Sequence, residues 1–184
     1  HLLSGGVIVI RDEVRSDSGP HRYQWLLHPP ERDMLDLNIS HASARIDAGK
    51  AALDVHVIQP QKAVLEMKGS PIPIKEYAYY PKKNLRPRAR LQLSHEDARK
   101  DQDFLVVLAP DYKDNPAPES VEPIKAGSAE GVQVLSSTGV KEQLLYAAEK
   151  DGIHTDVFKT DASVLYSRTH SADHQIIAAE SATR

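Results

Sequence analysis

The chain has 184 residues, no cysteine and a formal net charge of −3. The lack of cysteine excludes disulfides, a thiolate nucleophile and Cys-based zinc sites. The small charge gives no global field toward nucleic acid or an anionic bilayer, and no run of about 18 apolar residues is present to span one. Hydrophobic residues make up 40% and charged residues 27%, the balance of a globular domain. We therefore expect one domain over 1–184, long enough to bury a real core.

Period-2 alternation of apolar and polar residues dominates from the start. In 7–14, Val7 and Val9 alternate with Ile8 and Ile10, a strand apolar on both faces and so predicted to be central. In 22–28, Tyr23, Trp25 and Leu27 share one face, while Gln24, Leu26 and His28 share the other. Leu35, Leu37 and Ile39 form an apolar face over 34–41, as do Leu53, Val55 and Val57 over 51–58. Further strands are predicted at 63–68, 88–94, 103–109, 131–136, 141–147, 153–158, 163–168 and 174–180.

The punctuation between these strands fits hairpins. Asp47-Ala48-Gly49, Thr138-Gly139 and Asp151-Gly152 supply the positive-φ positions that tight turns need. The Pro-rich, charged stretch 110–123 reads as a surface loop, with the strand pattern resuming after it. The best helix signal, 94–102, has a Ser N-cap but almost no apolar face, so we expect a charged loop or a single turn. Many short strands with little helix predict an all-β protein, an antiparallel β-sandwich of two sheets.

Three groups of residues carry chemistry. The first is HRYQWLLHPP, 21–30, a strand that ends on a histidine and is stopped by two prolines. Trp25, with Tyr23 and Leu27, is expected in the core. His28 projects from the strand end as a candidate catalytic group or ligand. The second is YAYYPKKNLRPRAR, 77–90, where tyrosines precede five cations with no acid among them. Tyr79 and Tyr80 offer faces that stack on sugar rings. Lys82, Arg86 and Arg88 offer cations, and guanidinium grips carboxylate or sulfate in bidentate fashion. An acidic polysaccharide fits this segment better than single-stranded nucleic acid, given the negative overall charge. The third is a candidate divalent-metal site, for zinc or calcium, from His28, Asp54 and His56 on neighbouring strands. With nine histidines and no H-x-H or H-E-x-x-H spacing, exposed polar strand faces account for the same residues.

The order of VIVIRDEV, YQWLLH, the hairpin around IDAGKAALDVHVIQP, FLVVLAP, the pair GVQVL and KEQLLY, and FKTDASVLYSR resembles the C-terminal β-sandwich of heparinase II/III-like polysaccharide lyases. The resemblance implies an enzyme that cleaves uronic-acid polysaccharides by β-elimination. It also implies an N-terminal α-helical toroid that supplies most catalytic groups, while the sandwich closes the cleft. In some members the sandwich contributes a histidine and holds a metal with His and Asp ligands. This chain departs from members that carry a second histidine on the strand of His28, having Leu26 two residues earlier. On this reading the chain is a piece of a larger lyase, inactive alone, from a bacterial periplasmic or secreted protein. Its partners are acidic polysaccharide and the toroid of the same polypeptide, with no nucleic acid and no membrane. The alternative is a non-catalytic carbohydrate-binding or structural β-sandwich module.

Overall fold

The computed structural model describes residues 1–29, 34–69, 89–147, 152–154, 159–160, 162–170 and 173–180. It is nearly all β and antiparallel, the predicted β-sandwich class. The strands in chain order are β1 (Ile8–Val14), β2 (Gln24–Leu27), β3 (Leu35–Asn38), β4 (Ser43–Asp47), β5 (Ala51–Gln59), β6 (Ala63–Gly69), β7 (Ala89–His95), β8 (Gln102–Tyr112), β9 (Ser120–Ala126), β10 (Ala129–Leu135), β11 (Lys141–Tyr146), β12 (Ile153–His154), β13 (Lys159–Thr160), β14 (Val164–His170) and β15 (Asp173–Glu180). Two compact units divide them, one of Val9–Lys113, the other of His1–Ile8 with Asp114–Arg184. The boundary between Lys113 and Asp114 falls inside the Pro-rich stretch 110–123.

The unit Val9–Lys113 is a sandwich. One sheet has the order β1-β8-β5-β4-β3 and the other β2-β7-β6. Between them lie Leu35, Ala44, Ile46, Val55, Leu65, Leu91, Leu93, Phe104 and Val106, all buried. Each of these side chains larger than Ala44 contributes about 1.5–3 kcal/mol by leaving water. Tyr23, Trp25 and Leu27 pack against this core from β2 and the residue preceding it, as their alternation predicts. The β4–β5 hairpin turns on Gly49, whose φ of 81° avoids Cβ strain and whose N–H donates to Asp47 Oδ1 at 2.7 Å.

The second unit holds a five-stranded meander, β15-β14-β11-β10-β9, and the short pair β12-β13. Ala129, Leu145, Ile153 and Leu165 form its buried cluster, with Ile124, Ala126 and Ala147 packed on it. Gly131, in register with Leu145 on β11 and Ile124 on β9, is required by the close approach of β11. A Cβ there would sit 1.9 Å from the Leu144 carbonyl oxygen.

Four local expectations are corrected. β1 is an edge strand rather than a central one, and Ile8 on it is 42% exposed. Its apolar composition is answered on one side only, where Val9 is buried. The strand predicted over 34–41 stops at Asn38, and Ile39–His41 form a 3₁₀ turn closed by Ala42 at φ 47°. Ile39 is therefore exposed rather than part of the apolar face. β4 and β9 were not predicted. SARID is short and half polar, and SVEPIKA carries Pro123, tolerated because β9 is a sheet edge. The stretch 110–123 is thus not all loop, since β8 runs to Tyr112 and β9 starts at Ser120.

Candidate functional site

The outward face of the three-stranded sheet β2-β7-β6 brings together the residues with the most chemistry. Register places Gln24 opposite Ser94 and Leu26 opposite Gln92, and on the other side of β7 Gln92 opposite Glu66 and Arg90 opposite Lys68. These residues share one face because directly opposed residues of antiparallel strands project together. Leu27 is opposite Leu91, and the next residue outward on each strand is His28 and Arg90. His28 is exposed immediately past the end of β2. Arg90 and Lys68 are therefore side by side at this end of the sheet, and His28 follows the β2 strand of the same sheet.

Arg90 and Lys68 are linked through Gln92 and Glu66 by side-chain hydrogen bonds. Lys68 Nζ donates to Glu66 Oε1 at 2.8 Å, Gln92 Nε2 to Glu66 Oε2 at 3.4 Å, and Arg90 Nη2 to Gln92 Oε1 at 3.3 Å. Gln92 is buried, and Arg90 Nε is buried with no hydrogen-bond partner. Arg90 is also the last residue of the aromatic and basic segment 77–90, so this end of the sheet is where that segment joins β7. Tyr79, Tyr80, Lys82, Arg86 and Arg88 themselves lie outside the described residues.

The proposed metal ligands do not converge. Asp54 and His56 share the outward face of β5, in the five-stranded sheet, while His28 follows β2 in the other sheet of the sandwich. Both Asp54 oxygens accept from Arg45 Nη1 at 2.8 Å, and Arg45 Nη2 donates to Asp111 Oδ2 at 2.5 Å. Arg45 thus already supplies the cation that Asp54 faces. Burial, opposed in part by the Asp54 charge, lowers the His56 pKa from its ordinary value and so favours the neutral ring. Among the described residues no group of three or more His, Asp or Glu could hold a metal ion. These residues do not fit a zinc or calcium site.

A second polar cluster, in the other unit, was not foreseen. Glu142 on β11 is 1% exposed. Its carboxylate accepts from the Ser4 N–H at 3.2 and 3.1 Å, from Ser4 Oγ at 2.8 Å and from the Tyr166 hydroxyl. Tyr166 has its pKa pushed up to about 12, by burial first and then by the hydrogen bond to Glu142. Ser4 opens the 3₁₀ turn Ser4–Gly6, which Gly5 and Gly6 enter at positive φ and which Asn115 braces by donating to the Gly5 carbonyl at 2.7 Å. The cluster fastens this turn to the meander. The sequence does hold a signal for it: in KEQLLY, Glu142 falls in the same alternate series as Leu144 and Tyr146, an acid on a buried face.

No family model matches the chain, and no curated protein is detectably similar to it in sequence.

Proposed function

We propose that the chain is the C-terminal β-sandwich part of a heparinase II/III-like polysaccharide lyase and closes the cleft in which a uronic-acid polysaccharide is cleaved by β-elimination. The observation that supports this reading best is the row of cations Arg90 and Lys68 at the sheet end joined by the aromatic and basic segment, with His28 exposed just past β2 of the same sheet.

The chemistry of elimination explains the need for such a row. The C5 proton of a uronate is weakly acidic, and its removal builds charge onto the adjacent carboxylate. Cations beside that carboxylate stabilise the developing enolate-like charge, and a histidine within reach can move a proton. Arginine and lysine serve the first role and His28 the second. Leu26, where a second histidine would strengthen the catalytic role, leaves the main proton transfers to the toroid. The reading carries with it a periplasmic or secreted location, where such polysaccharides are met.

The test is a titration of the chain against uronic-acid polysaccharides at low and moderate salt. We expect binding that weakens with salt, as contacts from exposed cations do, and that is lost in the Arg86→Ala, Arg88→Ala double variant. Failure to bind any uronan would refute the proposal.

A further inference from the structure

We propose that Asn38 is the acceptor of an N-linked glycan, transferred to its side-chain nitrogen from a polyprenyl-pyrophosphate oligosaccharide by an oligosaccharyltransferase. The inference goes beyond the reading above and shares with it only an exported location.

The recognition element is in the sequence. Asn38-Ile39-Ser40 is an Asn-x-Ser triplet with no proline at its centre. The other two asparagines, Asn84 and Asn115, have Arg86 and Ala117 two positions on, so neither offers the hydroxyl that the triplet requires. Some transferases read the triplet alone, and others also require an acid two positions before the asparagine. Asp36 stands there, so Asp36-Leu37-Asn38-Ile39-Ser40 meets both demands.

The fold presents this element to solvent. β3 is an edge strand of its sheet, and its Leu35 and Leu37 pack in the core while Asp36 and Asn38 alternate with them. Asp36, Asn38, Ser40 and His41 are exposed, and Ile39 is 70% exposed. Asn38 ends β3, and the 3₁₀ turn Ile39–His41 begins directly after it. An acceptor for a bulky sugar has to stand on such an accessible turn.

The carboxamide is held by its oxygen. Ser40 Oγ donates to Asn38 Oδ1 at 2.8 Å, and His41 Nδ1 lies 3.1 Å from the same oxygen. Both contacts fall on Oδ1, and neither engages Nδ2, the atom to be glycosylated. An amide nitrogen is a weak nucleophile because its lone pair is shared with the carbonyl. Donors on the oxygen make the Nδ2 protons more acidic, which helps a base of the transferase to take one. The bond from the anomeric carbon to the pyrophosphate oxygen breaks, and its electron pair leaves with the pyrophosphate. The bond from that carbon to Nδ2 forms, and one Nδ2 proton passes to the transferase base. The attached glycan gives exposed Ile39 and the open side of β3 a polar cover, which discourages edge-to-edge pairing.

The experiment places the full chain behind a cleavable export leader. One host is a eukaryotic secretory cell. The other is a bacterium whose periplasm receives a single-subunit oligosaccharyltransferase and its lipid-linked glycan. Intact mass counts the glycans. Enzymatic release, which leaves Asp at the modified position, maps them. We expect one glycan per chain, on Asn38, absent from Asn38→Gln and from Ser40→Ala and kept in Ser40→Thr. Asp36→Ala should lose it in the bacterial host and keep it in the secretory one. All these positions are exposed, so the variants should melt as the unmodified natural chain does. Ser40→Thr, which keeps the hydroxyl, guards against a loss caused by misfolding. Glycan on Asn38 in either host supports the proposal. An exported natural chain of unmodified mass in both hosts, a glycan mapped elsewhere, or one kept in Ser40→Ala would overturn it. None of these outcomes bears on uronan binding, so the lyase reading stands or falls by its own titration.

Discussion

Replacing Glu142 tests how the 3₁₀ turn Ser4–Gly6 is held. In Glu142→Ala the hydroxyls of Ser4 and Tyr166 and the Ser4 N–H lose their shared acceptor in a buried place. A hydrogen bond to a charged group contributes about 1.5–3 kcal/mol, and the bonds to one carboxylate are not additive, so we expect a loss of about 3 kcal/mol. Glu142→Gln separates charge from connectivity. Its amide oxygen can take the place of Oε1, which accepts from both hydroxyls, while its NH₂ replaces the oxygen that accepts only from the Ser4 N–H. That variant should lose about 1 kcal/mol. The assay is urea unfolding followed by far-UV circular dichroism, with hydrogen exchange at Leu3 and Val7, whose amides bond within the turn. Exchange at both should quicken in Glu142→Ala more than in Glu142→Gln. Equal stability of Glu142→Ala and the natural chain, or equal losses in the two variants, would refute the account of the carboxylate as the fastening point.

Three further outcomes are expected. Tyr166 binds its proton more tightly folded than unfolded. Its contribution is therefore complete below pH about 10 and fades as the pH rises toward 12, and a Tyr166→Phe chain should show a shallower loss over that interval. His56 has the opposite sign: its lowered pKa means that the unfolded chain takes up the proton first as the pH falls below 6.5. Stability should decline there, and less so in His56→Gln, as denaturant midpoints would reveal. Gly131→Ala would drive a methyl group into the Leu144 carbonyl and should cost about 3 kcal/mol or more; a midpoint within measurement error of the natural chain's would show that the two strands can separate without loss.

What the sequence made legible follows from the range of the interaction concerned. The outward turn of His28 and the inward turn of Trp25 depend on period-2 alternation within one strand, and both are where the pattern puts them. The hydrogen-bonded series Lys68, Glu66, Gln92 and Arg90 depends on β6 and β7 coming into register across the segment between them, and no local pattern encodes that pairing. Glu142 was legible in part, as an acid in an apolar series. Its partners were not, because Ser4 lies 138 residues away. The edge position of β1 was misread because apolar residues on both faces report burial, not neighbours. In β1 only the face of Val9 is covered, and Ile8 on the other face stays 42% exposed.

That edge position has a further consequence during synthesis. In its sheet, among the described residues, β1 pairs with β8, and roughly ninety residues separate them. At about 5–20 residues per second, a ribosome takes about five to twenty seconds to make that stretch. For this interval VIVI is an apolar strand without its β8 partner, the type of segment that seeds aggregation. Arg11, Asp12, Glu13 and Arg15 follow it directly, charges of both signs that discourage stacking of identical copies. The RDEVR sequence thus serves the nascent chain as a gatekeeper, and its neutralisation would appear first as lower soluble yield rather than as a lower melting point.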